Sequence, residues 1–293
     1  MESMFKTGVI GDEISQDFER VAAVAKELGL DSIEIRSTWN KSPQDLNNDD
    51  IERIKKVLKD NGLKICAIAA PFFKCDIDNN EEYVQHLEIL GKCIRLANQL
   101  GTRIVRGFTF WKKEGLDKYW EKMIDRFAQP VQIAESEGII LGIENEHSCF
   151  LGTGDEVNRL LKRLNSKNVK AIWDPCNEVF ANGGYNPFPQ GYEAIKEDMV
   201  HMHLKDAKKN KKGEVECVAV GEGVIDYKEH FRRLLKDGYN DYISLETHWR
   251  VSKGLSTELL NRPAGPAFSE AGEESTRVCV KNWFGILKGL DGH

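Results

Sequence analysis

Val200-His-Met-His-Leu-Lys-Asp206 is the stretch on which the reading of this chain turns. As a β-strand its period of two places His201, His203 and Lys205 on one face and Met202 and Leu204 on the other. Such a strand packs against an apolar layer on one side and carries two imidazoles and an ammonium on the other. Two histidines by themselves fit a plain surface strand equally well. The case for a site therefore rests on what the neighbouring strand ends contribute.

Outward from this stretch the chain alternates. Residues 5–10, 31–36, 63–70, 102–106, 139–144 and 169–174 read as strands before it, and 241–246 as a strand after it, by their short apolar runs and flanking breakers. Pro71 ends the third and Pro175 the sixth. Between them lie helical patterns at 16–28, with Ser15 as N-cap and Gly29 as stop, then at 49–60, 81–100 and 116–137, where Pro130 predicts a kink. A helix capped by Thr153 follows, then one around 192–196, one at 226–237 and a last one at 270–287. Eight strands alternating with eight helices predict a (β/α)8 TIM barrel, with residues 1–293 as a single domain rather than a doubly wound sheet with a second domain.

A chain of 293 residues is an ordinary length for one such barrel. The net charge is -6, and the one basic run, Lys208 to Lys212, reads as a solvated loop, so no nucleic-acid partner is expected. There is no signal-like segment and no apolar span of membrane length, which predicts a cytoplasmic protein with no membrane partner. The seven cysteines, at 66, 75, 93, 149, 176, 217 and 279, include no C-x-x-C pair and read as small packing residues. Nothing in the composition decides between a monomer and a homo-oligomer.

In a barrel of this kind the chemistry sits at the C-terminal strand ends. Four consecutive strands end in Glu144, Asp174, His203 and Glu246. Converging carboxylates would repel one another unless a cation lay among them, so these four are candidate metal ligands. Oxygen ligands with one imidazole suit a divalent ion, here Mn²⁺ before Mg²⁺, Co²⁺ or Zn²⁺. Lys205 shares the His203 face, and Arg106 and Glu34 end strands four and two, so these three are candidate substrate contacts or barrel-internal ion pairs. Phe72, Phe73, Phe110, Trp111 and Trp249 are placed to wall a pocket.

The motifs Gly142-Ile-Glu-Asn145, Trp173-Asp-Pro-Cys-Asn177, His201-Met-His-Leu-Lys-Asp206, Val220-Gly-Glu-Gly223 and Ser244-Leu-Glu-Thr-His248 resemble the sugar phosphate isomerase/epimerase family of xylose isomerase-like TIM barrels. The likeness runs over nearly the whole chain and includes Gly29-Leu-Asp-Ser-Ile-Glu34. It implies the barrel, the Glu/Asp/His/Glu metal site and a small carbohydrate substrate. It also implies that Glu144 and Glu246 serve as acid and base on a metal-stabilised enediolate. The sequence departs from that pattern at Asn177, a candidate substrate contact where many relatives have histidine, and at Lys209, where ketose 3-epimerases have arginine. Glu144-Asn145-Glu146-His147 also sets its imidazole one residue later than the common Glu-Asn-His.

The expected activity is thus a metal-dependent isomerase or epimerase of a sugar, sugar acid or sugar phosphate. A lyase or dehydratase of the inosose dehydratase type would use the same enolate, with His147, His201 or His248 as the acid for the leaving group. An endonuclease IV-like phosphodiesterase needs several zinc ions and many histidines, and this chain has seven histidines in all. A metal-free sugar-binding barrel is opposed by the intact ligand quartet.

Overall fold

In a computed structural model, which describes residues 4–252 and 254–290, eight parallel strands close into a barrel. Around the ring run β1 (Lys6–Ile10), β2 (Ser32–Ile35), β3 (Lys64–Phe72), β4 (Ile104–Gly107), β5 (Ile140–Glu144), β6 (Val169–Trp173) and β7 (Met199–Leu204). An antiparallel hairpin, β8 (Asp206–Lys209) and β9 (Val215–Val218), stands outside it. The last barrel strand, β10 (Tyr242–Leu245), pairs with β7 through Ser244↔His203 and with β1 through Gly8↔Ser244. These strands are largely buried on both faces, and the polar positions they carry, such as Glu34, His201, His203 and Ser244, are themselves buried.

The outer layer comprises α1 (Phe18–Glu27), α2 (Asn48–Asn61), α3 (Asn80–Leu100), α4 (Leu116–Glu137), α5 (Gly154–Leu164), α6 (Pro175–Ala181), α7 (Gln190–Ile195), α8 (Tyr227–Lys236), α9 (Thr257–Asn261), α10 (Gly265–Ser269) and α11 (Gly272–Lys288). Among the described residues no helix is long and apolar enough to cross a membrane. Thr153 caps α5 in a reciprocal box with Glu156, as its sequence predicts. Helix α1 is capped by Asp17, two residues later than expected, because Ser15 Oγ is engaged by the Asp17 N–H at 3.1 Å.

Three local expectations are corrected. Pro71 does not end its strand: β3 pairs with β4 at Ile68↔Val105 and Phe72↔Gly107, and the register shift between those pairs leaves the proline, which has no N–H, outside the ladder. Pro175 ends its strand as expected, but it begins a helix where the Gly-, Asn- and Pro-rich sequence that follows reads as a loop. It occupies the first turn, where its missing N–H costs nothing, and the Asp174 carboxylate accepts the Asn177 N–H at 2.9 Å. The basic run after β7 is the tip of the β8–β9 hairpin, anchored at its base by Asp206. That carboxylate accepts N–H bonds from Gly221 at 3.0 Å and Gly223 at 2.9 Å. A Cβ at 223 would lie 1.9 Å from Asp206 Oδ1, so the Gly-Glu-Gly motif is demanded by this close approach.

Glu178 in α6 reaches the first turn of α5, where it accepts the Gly154 N–H at 2.8 Å. Burial pushes its carboxyl up to about 7 against that hydrogen bond. The folded state therefore holds a proton that the unfolded state gives up above about pH 4.5, and stability falls as pH rises from there to about 7. Urea titrations are expected to show Glu178→Gln gaining on the parent protein over that interval by at most about 3 kcal/mol. A gain independent of pH would assign the effect to packing.

The loops that follow β2, β3, β4 and β10 place Trp39, Asn40, Phe73, Phe110 and His248 in the left-handed region, with φ between 44° and 65°. Phe73 and Phe110 stack with centroids 4.1 Å apart over the edge of Phe127.

Candidate active site

Glu144 is the last residue of β5, Asp174 follows β6, His203 lies near the end of β7 and Glu246 follows β10. The barrel's register converts these scattered positions into one cluster, with an oxygen or nitrogen of each within 4.8 Å of the others. All four are buried. His203 Nδ1 is 3.1 Å from Glu144 Oε1, 3.7 Å from Glu246 Oε2 and 4.0 Å from Asp174 Oδ2. Its other nitrogen, Nε2, donates to Glu34 at 3.2 Å, which fixes the ring so that Nδ1 faces the three carboxylates.

Charge balance shows what this arrangement needs. Asp12, Glu13, Glu34, Glu144, Asp174 and Glu246 form one buried network with Arg36, Arg106, Lys205 and Arg250, bridged by His201, His203 and His248. Six carboxylates against four fixed cations leave two negative charges, to be met by histidine protons or by a bound cation. Burial disfavours imidazolium at His203, but Glu34 and Glu144 outweigh it and hold its pKa well above the usual range. Burial likewise opposes ionisation of Glu144 and Glu246. His203 and Arg106 overcome it at Glu144, as Lys205, His248 and Arg36 do at Glu246, so both carboxyls stay below their ordinary range. Asp174 is pushed up by burial despite Lys205. Its Oδ2 is buried without a well-formed hydrogen bond, although Lys205 Nζ lies 2.9 Å away. Three carboxylates, one of them with an under-bonded oxygen, and one imidazole nitrogen form a donor set that fits a divalent ion.

The residues expected to touch substrate divide into two groups. Arg106 and Trp111 line a cavity of about 410 Å³ at the barrel mouth, together with Arg36, Lys74, His86 and Arg262. Six others do not line it. Lys205 is turned inward between Asp174 at 2.9 Å and Glu246 at 2.8 Å. Asn177 donates to Glu144 Oε1 at 3.0 Å and so orients that carboxylate. Glu34 and His201 are bonded to each other at 2.9 Å, both fully buried in the barrel interior. His147 stacks on Phe180, and His248 sits between Glu13 and Glu246 at 3.5 and 3.4 Å. Of the expected aromatic wall, Phe72, Phe73 and Phe110 are buried beneath the mouth.

Sequence reasoning missed Arg36, Asp12, Glu13 and Arg250. Arg36 Nη1 donates to Glu246 Oε1 at 2.5 Å and Nη2 to Glu13 at 2.9 Å, while Nε donates to Asp12 at 3.0 Å. It stands two residues beyond Glu34 and so shares its strand face, a signal present in the sequence. The Lys74 and Arg262 contacts depend on loops after β3 and β10 that carry no comparable periodicity.

The barrel belongs with a recognised group of proteins. Residues 22–271 match the model of the xylose isomerase-like TIM barrels, and the chain belongs to that family. It is 23% identical over 199 residues to an inosose dehydratase of Lactiplantibacillus plantarum, an alignment covering 61% of this chain and 65% of that protein. It is 26% identical over 166 residues to the L-ribulose-5-phosphate 3-epimerase UlaE of Escherichia coli, covering 53% of each. The chain thus spans less than two thirds of the length of these relatives. Its fold superposes on the crystal structure of the IolI protein with a bound zinc atom at a TM-score of 0.72, with 19% identity over 99% of this chain and 100% of that one.

Proposed function

We propose that the protein is a divalent-metal-dependent carbohydrate isomerase or epimerase that moves a proton at a carbon next to a carbonyl. The observation carrying this reading is that Glu144 and Glu246, both held ionised, converge on one imidazole nitrogen, while the arginines that hold them line the cavity at the mouth. Glu144, Asp174, His203 and Glu246 would hold the ion. When bound, it would polarise the substrate carbonyl and acidify the neighbouring C–H, so that a carboxylate of ordinary or depressed pKa suffices as base.

Each glutamate has a defined place in this scheme. Glu144 is fixed by Arg106 at 3.1 Å and Asn177 at 3.0 Å, and Glu246 by Arg36 and Lys205. Fixed carboxylates act without reorganisation. One removes the proton, and the other, after taking up a proton from solvent, delivers one to a different carbon or face. Their cationic partners stabilise each glutamate in the ionised, proton-accepting form. A dehydratase reading shares the proton abstraction and ends with loss of water; the inosose dehydratase relative favours keeping it.

The test is exchange in heavy water with a panel of keto sugars, inososes and ketose phosphates, using protein loaded in turn with Mn²⁺, Mg²⁺, Co²⁺ and Zn²⁺. Deuterium is expected beside the carbonyl of an accepted substrate, in recovered substrate or in product. Turnover with a hydrogen carried intact between carbons would overturn the two-carboxylate scheme in favour of a hydride shift.

A further inference from the structure

We propose that the cavity at the mouth takes a carbohydrate bearing an acidic group, a carboxylate or a phosphate ester, and that Arg262 and Lys74 receive that group at the solvent-exposed end. This rests on the carbohydrate reading above and narrows it to anionic substrates.

Donors outnumber free acceptors on the cavity wall. Four cations line it: Arg36, Lys74, Arg106 and Arg262. Arg36 and Arg106 are consumed by Glu246 and Glu144, and Lys74 bonds Glu146 at 3.0 Å and the Asn261 carbonyl at 3.0 Å. Arg262 has no carboxylate partner among the described residues; its guanidinium lies over the Trp111 ring at 5.1 Å. Arg106 is 4% exposed, and its Nε–H is buried with no acceptor. A lysine ammonium has three donors, of which Lys74 uses two on these partners.

His86 adds a further donor. The Phe73 backbone N–H donates to His86 Nδ1 at 2.8 Å, so the hydrogen of the neutral ring sits on Nε2. Burial keeps that ring neutral, with its pKa pushed down to about 4. Glu82 is the wall's one carboxylate, and both its oxygens are already engaged, by the Asp76 N–H at 2.7 Å and by Asn79 Nδ2 at 3.0 Å. The wall therefore offers unmet donors and one uncompensated positive charge, and no free carboxylate. A polyhydroxylated ligand supplies acceptors for the buried N–H groups, and its acidic group supplies the charge that Arg262 lacks. Charge-assisted bonds from arginine to carboxylate or phosphate are the strong members of this class. The volume, about 410 Å³, lies in the range of small-molecule sites.

Calorimetry on the full-length protein with matched ligands tests this. The pairs are D-ribulose with D-ribulose 5-phosphate and D-fructose with D-fructuronate, with inorganic phosphate as a probe lacking a sugar. One anionic member is expected to bind roughly tenfold or more tightly than its neutral partner, and which pair shows this identifies the acidic group. Arg262→Gln should erase most of that preference and Arg262→Lys should retain part of it; Lys74→Gln should reduce it. Neutral sugars binding as tightly as both anionic partners would overturn the inference and leave the carbohydrate reading standing, as would a preference indifferent to both substitutions. Arg262-dependent binding of inorganic phosphate with no binding of any sugar would uphold the anion subsite and sink the carbohydrate reading. Silence from every probe would remove both.

Discussion

Glu246→Gln is expected to lower turnover of an accepted substrate by a hundred- to ten-thousand-fold, roughly the contribution of a positioned acid or base. The replacement is isosteric, but Arg36 holds Oε1 at 2.5 Å and Lys205 holds Oε2 at 2.8 Å, so the single oxygen of glutamine keeps one of these partners while the basic carboxylate is lost. Glu144→Gln should behave similarly, since Arg106 and Asn177 hold that side chain at 3.1 and 3.0 Å. Each substitution also weakens an anionic member of the donor set. Divalent-ion content must therefore be measured on the same preparation before the loss is assigned to proton transfer. A variant that holds its ion normally yet fails to exchange the substrate proton on one face identifies the base for that face. Near-native turnover in either variant would remove that glutamate from the chemistry.

Arg36→Met is expected to destabilise the protein by about 3–5 kcal/mol, the usual penalty for removing one member of a buried charge network. Arg36 is 5% exposed and touches Asp12, Glu13 and Glu246, so its loss leaves three buried carboxylates with too few cations. Asp12 already has a raised pKa, because burial is only partly offset by Arg36. Without the arginine it should rise further. Carboxyls whose folded pKa exceeds the unfolded value bind protons in the folded state first, so the deficit should be largest above neutrality and shrink on acidification. Denaturant unfolding across pH measures both features. A loss below about 1 kcal/mol at pH 7, typical of exposed pairs, would show that the network does not need this charge.

The barrel and the quartet Glu144, Asp174, His203 and Glu246 were legible because one rule, strand-end register, governs all of them. Lys205 was legible as a cation on the right face but not as an inward-turned one. Its partners, Asp174 and Glu246, lie 31 and 41 residues away, and nothing local distinguishes an ammonium facing substrate from one facing carboxylates. Arg36 carried a usable signal, as the last residue of the stretch 31–36 and on the strand face of Glu34, which the choice of Glu34 as that strand's site residue passes over. The stretch holding α9 and α10 resisted prediction for a different reason: helices of five residues are too short to show a period. Yet that stretch brings Asn261 and Arg262 to the cavity. The polar residues read as substrate contacts mostly form the network because a barrel interior must satisfy its own charges before it can offer any to a ligand.

The left-handed backbone at Trp39, Asn40, Phe73, Phe110 and His248 has an evolutionary consequence. Each such residue costs about 1–3 kcal/mol relative to a relaxed conformation and persists only where its surroundings dictate it. Glycine at these sites would relieve the strain, but it would delete the rings that stack beneath the mouth at Phe73 and Phe110. Selection for thermal robustness and selection for a shaped entrance therefore pull Phe73 and Phe110 in opposite directions. Lineages that keep the bulky residue must recover the lost margin elsewhere in the barrel, in staves whose only duty is to stay closed.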